Sequence, residues 1–136
     1  MMMRIVLLLL VLSICNSISY GQQDERITTI DFVQILNDNR EEAVYYFQNN
    51  WKVLRDMAVE RGYIDSFQVL EVPASEKEPF QLMLITTYVH KGQYDLREDH
   101  FRELISEKGP LKLLNEKKPE DFRKTLFSKE MVRHWK

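Results

Sequence analysis

Apolar residues recur at the helical period between Arg40 and Arg61, and this segment predicts the longest element of the chain. One stripe carries them: Ala43, Val44, Phe47, Trp51, Leu54 and Ala58. Asp38 and Asn39 are expected to accept hydrogen bonds from the first free amides, and Gly62 follows the last turn, where a left-handed residue commonly ends a helix. At 1.5 Å per residue this helix is about 30 Å long, so it must lie along a whole sheet.

Four segments have the composition of strands. Residues 27–36 are rich in β-branched side chains and place apolar residues on both faces. Residues 63–72 and 80–89 are separated by a short loop bounded by Pro73 and Pro79, which favours an antiparallel hairpin. Residues 80–89 are the most apolar and are expected to be central. Residues 122–132 alternate poorly and are predicted as the last strand.

A second helix is predicted from Gly92 to Glu107, ended by Gly109 and Pro110, and Pro119 is expected to open one helical turn. The order is then strand, helix, strand, strand, helix, strand. That order predicts a ferredoxin-like α+β domain, βαββαβ, with two helices on one face of a four-stranded antiparallel sheet.

The predicted sheet has a face that its own helices do not cover. Both helices lie on one side, yet the first three strands carry Leu, Ile, Phe or Val on both sides. Because an exposed apolar patch of several hundred Å² commonly marks an interface, we predict a homodimer that pairs sheet to sheet.

The N-terminal residues predict export. Arg4 precedes about ten apolar residues, too few to span a bilayer as a helix, so residues 1–21 read as a signal peptide. Cleavage is expected before Gln22, with Tyr20 as the alternative. Residues 22–136 then form a single periplasmic or secreted domain without a further transmembrane segment. Cys15 leaves lipidation open as an alternative, although Ile14 stands where a small residue is required.

Composition narrows the chemistry of the mature chain. Without Cys15 it has no cysteine, which excludes disulfides, thiol catalysis and cysteine-ligated metals. Its charge is uneven, with 9 Lys and Arg against 17 Asp and Glu over residues 22–107, but 9 against 4 over residues 108–136. The basic segment either pairs with acidic groups of its own or a second subunit, or forms an anion site. No nucleic-acid-binding module accompanies it, so no nucleic-acid partner is predicted.

His90 and Tyr88 are the candidate polar pair. With Thr86 they alternate along the end of the third strand, so all three are expected on one side. A neutral His90 could act as a base while the Tyr88 hydroxyl orients a substrate. The alternative is a histidine at the rim that meets water or caps the next helix.

Trp51 and Arg55 are the candidate ligand contacts on the long helix. Trp51 either packs in the core or stacks on a ligand. Arg55, one turn later, either holds a ligand carboxylate or pairs with a surface acid. His100 lacks ligands at the matching helical positions, so no metal site is predicted.

Two stretches resemble the dimeric α/β-barrel superfamily: Trp51 to Glu71, and Phe80 to Val89. This superfamily includes cofactor-free antibiotic-biosynthesis-type monooxygenases, muconolactone-isomerase-like proteins and stress-responsive barrel proteins. The chain also resembles exported proteins of Bacteroidetes-type bacteria that have no known activity. The resemblance implies paired sheets and a ligand cavity between sheet and helices. It carries over no catalytic residue, and the adjacent Asn49, Asn50 and Trp51 do not reproduce the spacing of the haem-degrading branch, so no cofactor is implied.

Three functions remain open. The first is an exported barrel protein that binds a small, mostly apolar molecule at Trp51, Arg55, Tyr88 and His90. The second is a cofactor-free monooxygenase or isomerase, and the third is a structural or protein-binding module that uses the basic segment. Convergence of these four side chains on one enclosed cavity would favour the ligand-binding functions, and a space filled by side chains would favour the third.

Overall fold

A computed structural model describes residues 23–135, and the predicted signal peptide with Cys15 lies outside them. The strands are β1 (Ile27–Ile35), β2 (Ser66–Glu71), β3 (Leu82–Tyr88) and β4 (Arg123–Arg133). The helices are α1 (Arg40–Tyr46), α2 (Lys52–Glu60), α3 (Lys91–Asp95), α4 (Arg97–Lys108) and α5 (Pro119–Phe122), with a π-helix (Phe47–Trp51) between α1 and α2.

The four strands form one antiparallel sheet in the order β2-β3-β1-β4. This order and the placement of the helices confirm the ferredoxin-like α+β fold. β3 is central, as its apolar composition predicts, and β1 lies beside it. Alternation along these two strands sends Val33, Leu82 and Leu84 into the core beneath the helices.

The long helix contains a π segment that the sequence pattern does not predict. A π turn holds one more residue than an α turn, so the side chains after it rotate relative to the regular stripe. The segment buries Asn50, whose Nδ2 donates to the carbonyls of Tyr46 (3.0 Å) and Lys112 (2.7 Å). Its Oδ1 accepts from the Lys112 amide (2.8 Å) and from Lys108 Nζ (2.9 Å). Asn50 thereby fixes the connection after α4 against the helix.

The predicted ends of the elements are partly wrong. Asn39 does not cap α1 with its side chain, because its Nδ2 donates to the Asp121 carbonyl (3.1 Å) and its Oδ1 accepts from Lys117 Nζ (2.6 Å). Gly62 does end the long helix, with φ +68°. β2 begins three residues later than predicted, and the predicted second helix is interrupted at Leu96.

The sheet face opposite the helices is apolar at its centre. Ile30 pairs with Ile85 there, and Phe32 pairs with Met83. The Phe32 ring stacks on Phe127 at 4.4 Å, and the ring of Phe80 meets Phe32 edge-on at 4.8 Å. Leu70 and Phe127 on this face are 42% and 45% exposed.

No helix within residues 23–135 covers that face. Residues 108–122 of the basic segment lie on the helix side, where Lys117 Nζ contacts Glu42 Oε1 at 2.7 Å and Lys112 contacts Asn50, and residues 123–133 form β4 itself. The apolar, uncovered sheet face on which the prediction of a sheet-to-sheet pair depends is therefore present. The homodimer itself stays a prediction. Over the same residues, no helix is both long and apolar enough to span a membrane.

Candidate functional site

A cavity of about 250 Å³ lies between the sheet and the helices, at the end where α2 faces α4. Its floor is the helix-facing side of β1 and β3, and its rim includes the exposed Ile105. The polar groups come from strands and helices alike. The lining consists of Thr29, Asp31, Leu54, Arg55, Tyr88, Arg97, Glu98, Phe101, Ile105 and Glu130.

Arg55 packs against two aromatic rings in the wall of this cavity. Its guanidinium carbon lies 4.4 Å from the centre of the Trp51 ring and 4.2 Å from that of Phe101. Its Nε donates to Thr86 Oγ1 at 3.3 Å. Trp51 is one helical turn before Arg55 and also meets Phe67 edge-on, at 5.7 Å. Trp51 thus supports Arg55 from behind instead of lining the cavity itself.

The Arg55 side chain is half-buried, and its guanidinium is largely shielded from water. Burial lowers its pKa from 12.5 to about 10, an effect that the nearby Tyr88 and Asp31 only partly offset. Among residues 23–135, no carboxylate forms an ion pair with it. Arg55 remains charged at neutral pH, so the wall contains a cation that no described carboxylate contacts directly, although Asp31 acts on it at longer range.

Tyr88 lies on the cavity floor, where β3 ends. It is 3% exposed, and burial raises the pKa of its phenol, although Arg55 and Arg97 oppose that shift. The ring packs edge-on against Tyr94 at 5.4 Å. Tyr88 therefore presents a neutral hydroxyl, a donor and acceptor, to whatever occupies the cavity.

Asp31 supplies a carboxylate on the same floor. Its Oδ1 accepts from Ser128 Oγ at 2.5 Å, across the β1–β4 pair. At the rim, Arg97 lies over the Tyr94 ring at 4.0 Å, and its Nη2 is 3.9 Å from Glu130 Oε2. The cavity is thus cationic at Arg55 and acidic at its floor and outer edge.

His90 does not reach the cavity. β3 ends at Tyr88, so the strand alternation that keeps Thr86 and Tyr88 together does not continue to His90. Its exposed side chain caps α3, and its Nδ1 accepts from the Gln93 amide at 3.1 Å. The prediction that His90 shares a side with Tyr88 was wrong, and the alternative of a capping histidine describes its position.

The four predicted site residues do not all converge on one cavity. Arg55 and Tyr88 line the cavity, Trp51 supports Arg55, and His90 lies outside. Across residues 23–135 no cluster of three or more metal-binding side chains occurs. His100 instead stacks on Tyr63, with ring centres 3.8 Å apart.

Asp31, Thr29, Arg97 and Phe101 were missed by sequence reasoning. A signal for the first two did exist. Thr29 and Asp31 are polar residues on the strand face that also carries Val33 and Ile35, and a covered sheet face seldom has polar side chains without a reason. Arg97 and Phe101 depend on how α4 packs, which the sequence does not reveal.

Comparison with known proteins gives one structural similarity. No family model and no curated protein matches the chain. A crystal structure from Bacteroides thetaiotaomicron, of a protein provisionally described as an antibiotic biosynthesis monooxygenase, aligns with 82% of this chain and 95% of its own length. The identity is 12% and the TM-score 0.39. This similarity is too weak to assign a family or an activity.

Proposed function

We propose that the protein binds a small molecule with an aromatic or apolar body and a polar end, in the cavity between its sheet and helices. The observation that carries this proposal is the convergence of Arg55 and Tyr88 on one cavity, with Trp51 holding Arg55 in place. Small-molecule sites commonly combine an apolar lining with a few fixed polar groups. Leu54, Phe101 and Ile105 supply the apolar part here.

The size of the cavity restricts the ligand. The pocket is open to solvent, and its volume of about 250 Å³ is slightly below the roughly 300–1,000 Å³ of drug-sized sites, so the part of a ligand that it holds corresponds to one ring or two fused rings. The polar groups of the wall change the prediction of a mostly apolar ligand to one with a polar end. A purely apolar ligand would leave Arg55 without a hydrogen-bond partner in the ligand.

A nuclear magnetic resonance screen tests the proposal. Isotope-labelled protein is titrated with a library of one- and two-ring compounds, and shifted signals are expected at the cavity lining. The variant Leu54→Phe should weaken every such interaction because it fills the cavity. Val59→Phe, on the exposed side of the same helix, is the matched control and should bind normally. Chemical-shift changes confined to residues outside the cavity, or no binding at all, would refute the proposal.

A second candidate is catalysis by proton transfer on the bound molecule. Asp31 favours it, because one of its oxygens accepts a hydrogen bond from Ser128 while the carboxylate lines the cavity that Tyr88 also lines. Asp31 replaces His90 as the candidate base. A screen of phenols, quinols and lactones with wild type and Asp31→Asn tests it: turnover should be lost while binding is kept. Equal turnover in both proteins would remove Asp31 from the chemistry.

We further propose that the protein is exported and acts as a homodimer. The signal-like residues 1–21 support export, and N-terminal sequencing of the mature protein should begin at Gln22. The apolar face around Phe32 and Phe127 supports pairing with a second copy. Such pairing leaves the ligand cavity free, since that cavity lies on the opposite side of the sheet.

A further inference from the structure

We infer that the cavity selects molecules that carry a carboxylate on a planar ring, and that Arg55 is the residue that recognises the carboxylate. This inference rests on the proposed function and names the chemical class of its ligand. It assigns to Arg55 a binding role, and to Trp51 and Phe101 the role of positioning the guanidinium.

Arg55 has no carboxylate in direct contact among residues 23–135, and Asp31 acts on it only at longer range. A buried charge normally has a partner of opposite charge or several strong hydrogen bonds, because desolvation is costly. Arg55 has one long bond to Thr86 and two aromatic neighbours, but no ion pair among residues 23–135. The half-buried Arg97 on the rim of the same cavity differs: its Nη2 lies 3.9 Å from Glu130 Oε2 and its Nε 3.9 Å from Glu98 Oε1. An anionic ligand would supply what the chain itself does not.

Two aromatic rings already contact the guanidinium: the centres of the Trp51 and Phe101 rings lie 4.4 and 4.2 Å from its central carbon, which restricts the directions from which a ligand can approach. Its Nε is already bonded to Thr86, which leaves the terminal nitrogens for the ligand. Two parallel N–H groups in one plane match the two oxygens of a carboxylate.

Carboxylates also line the cavity around Arg55. Asp31, Glu98 and Glu130 all line it and would repel an anion. Asp31 is hydrogen-bonded to Ser128, while Glu130 accepts from the Tyr94 hydroxyl and faces Arg97. Glu98 is 78% exposed, so water screens it. These acids disfavour ligands with several negative charges.

Matched pairs of compounds test the inference. Benzoate and 1-naphthoate are compared with benzamide and 1-naphthamide, which have the same shape without the charge. Binding is followed by the fluorescence of Trp51 in a Trp135→Phe background, because Trp135 is 96% exposed and would obscure the signal. The acids should bind at least tenfold more tightly than the amides, as expected for a charge-assisted pair of hydrogen bonds.

Two variants locate the preference. Arg55→Met should reduce the ratio between acid and amide to within about twofold while the amides still bind. Arg102→Met, an exposed arginine of α4 that pairs with Asp99, should leave the ratio unchanged. Circular dichroism and the amide affinities establish that the Arg55 variant is folded.

The possible results separate the two proposals. If acids and amides bind the cavity equally, or if Arg55→Met keeps the preference, the carboxylate inference is overturned and the ligand-binding proposal stands. If neither class binds, both fail. The wild-type protein alone can also refute the inference. An acid-to-amide affinity ratio close to one would do so without any variant.

Discussion

Replacing Arg55 by Met should leave the ligand-free protein at least as stable as the wild type. Methionine keeps most of the length and packing of arginine but has no charge to desolvate. If the role of Arg55 is to bind a ligand, contacts within the chain do not fully offset the cost of desolvating its charge. Removing the charge should then raise the free energy of unfolding of the ligand-free protein. A residue with a purely structural role would give the opposite result.

The magnitude follows from the surroundings of Arg55. A pKa lowered from 12.5 to about 10 corresponds to a burial cost of about 3 kcal/mol for the charged form. Against it stand two cation–π contacts, together about 2 kcal/mol, and one long hydrogen bond to Thr86, about 0.5 kcal/mol. Methionine recovers about 0.5 kcal/mol through sulfur–aromatic contacts. The free energy of unfolding should therefore rise by about 1 kcal/mol, which raises Tm by about 4 °C.

The assay is thermal and urea unfolding of dialysed, ligand-free protein, with both proteins at equal concentration because an oligomer makes Tm concentration-dependent. Arg61→Met is the control: this arginine bonds to Glu103 and Glu107, so its removal should lower Tm slightly. A loss of more than about 2 kcal/mol in Arg55→Met would mean that the contacts within the chain repay its burial. The physical reason for a ligand carboxylate would then disappear.

Three further predictions concern the interface, acid stability and the core. Phe127→Lys should dissociate the homodimer and halve its mass in solution. Covering the exposed 45% of this side chain in both subunits contributes up to about 4 kcal/mol of association free energy. The control variant Leu114→Lys, at a residue that is 46% exposed on the other layer, should leave the mass unchanged. Glu42→Gln should flatten the fall of Tm between pH 4.5 and pH 2. Lys117 lowers the pKa of Glu42 to about 2, so its stabilisation is complete above the unfolded pKa of about 4.5 and is lost as pH falls through the folded value. An unchanged acid slope would show that the pair contributes nothing. Phe122→Ala should lower the unfolding free energy by about 3–5 kcal/mol in urea melts, since its ring is 1% exposed in the core; a cost below about 1 kcal/mol would contradict the packing described.

The fold could be predicted because its signals are local. Alternation, the glycine at position 62 and the short hairpin loop each act over a few residues, and together they select one topology. The π segment could not be predicted in the same way. It depends on Asn50 bonding to Lys108 and Lys112, some sixty residues away in the chain, and nothing in the local pattern encodes that contact.

The site was only half predictable, for a related reason. Strand alternation predicts the face of the sheet on which Tyr88 lies, and helical spacing predicts the face of the helix that carries Arg55. His90 was misplaced because alternation holds only inside a strand, and β3 ends before it. Phe101 completes the enclosure of Arg55 from another helix, and its position depends on the packing of α4 rather than on its neighbours in sequence.

We propose that a second copy of this ferredoxin-like chain covers the apolar sheet face around Phe32 and Phe127. Sedimentation velocity of residues 22–136 at micromolar concentration distinguishes this dimer from a monomer. We predict a single species with twice the mass of one chain. A monomer at that concentration would contradict the account, because the face around Phe32, Phe80 and Phe127 would then be stable in water without a partner.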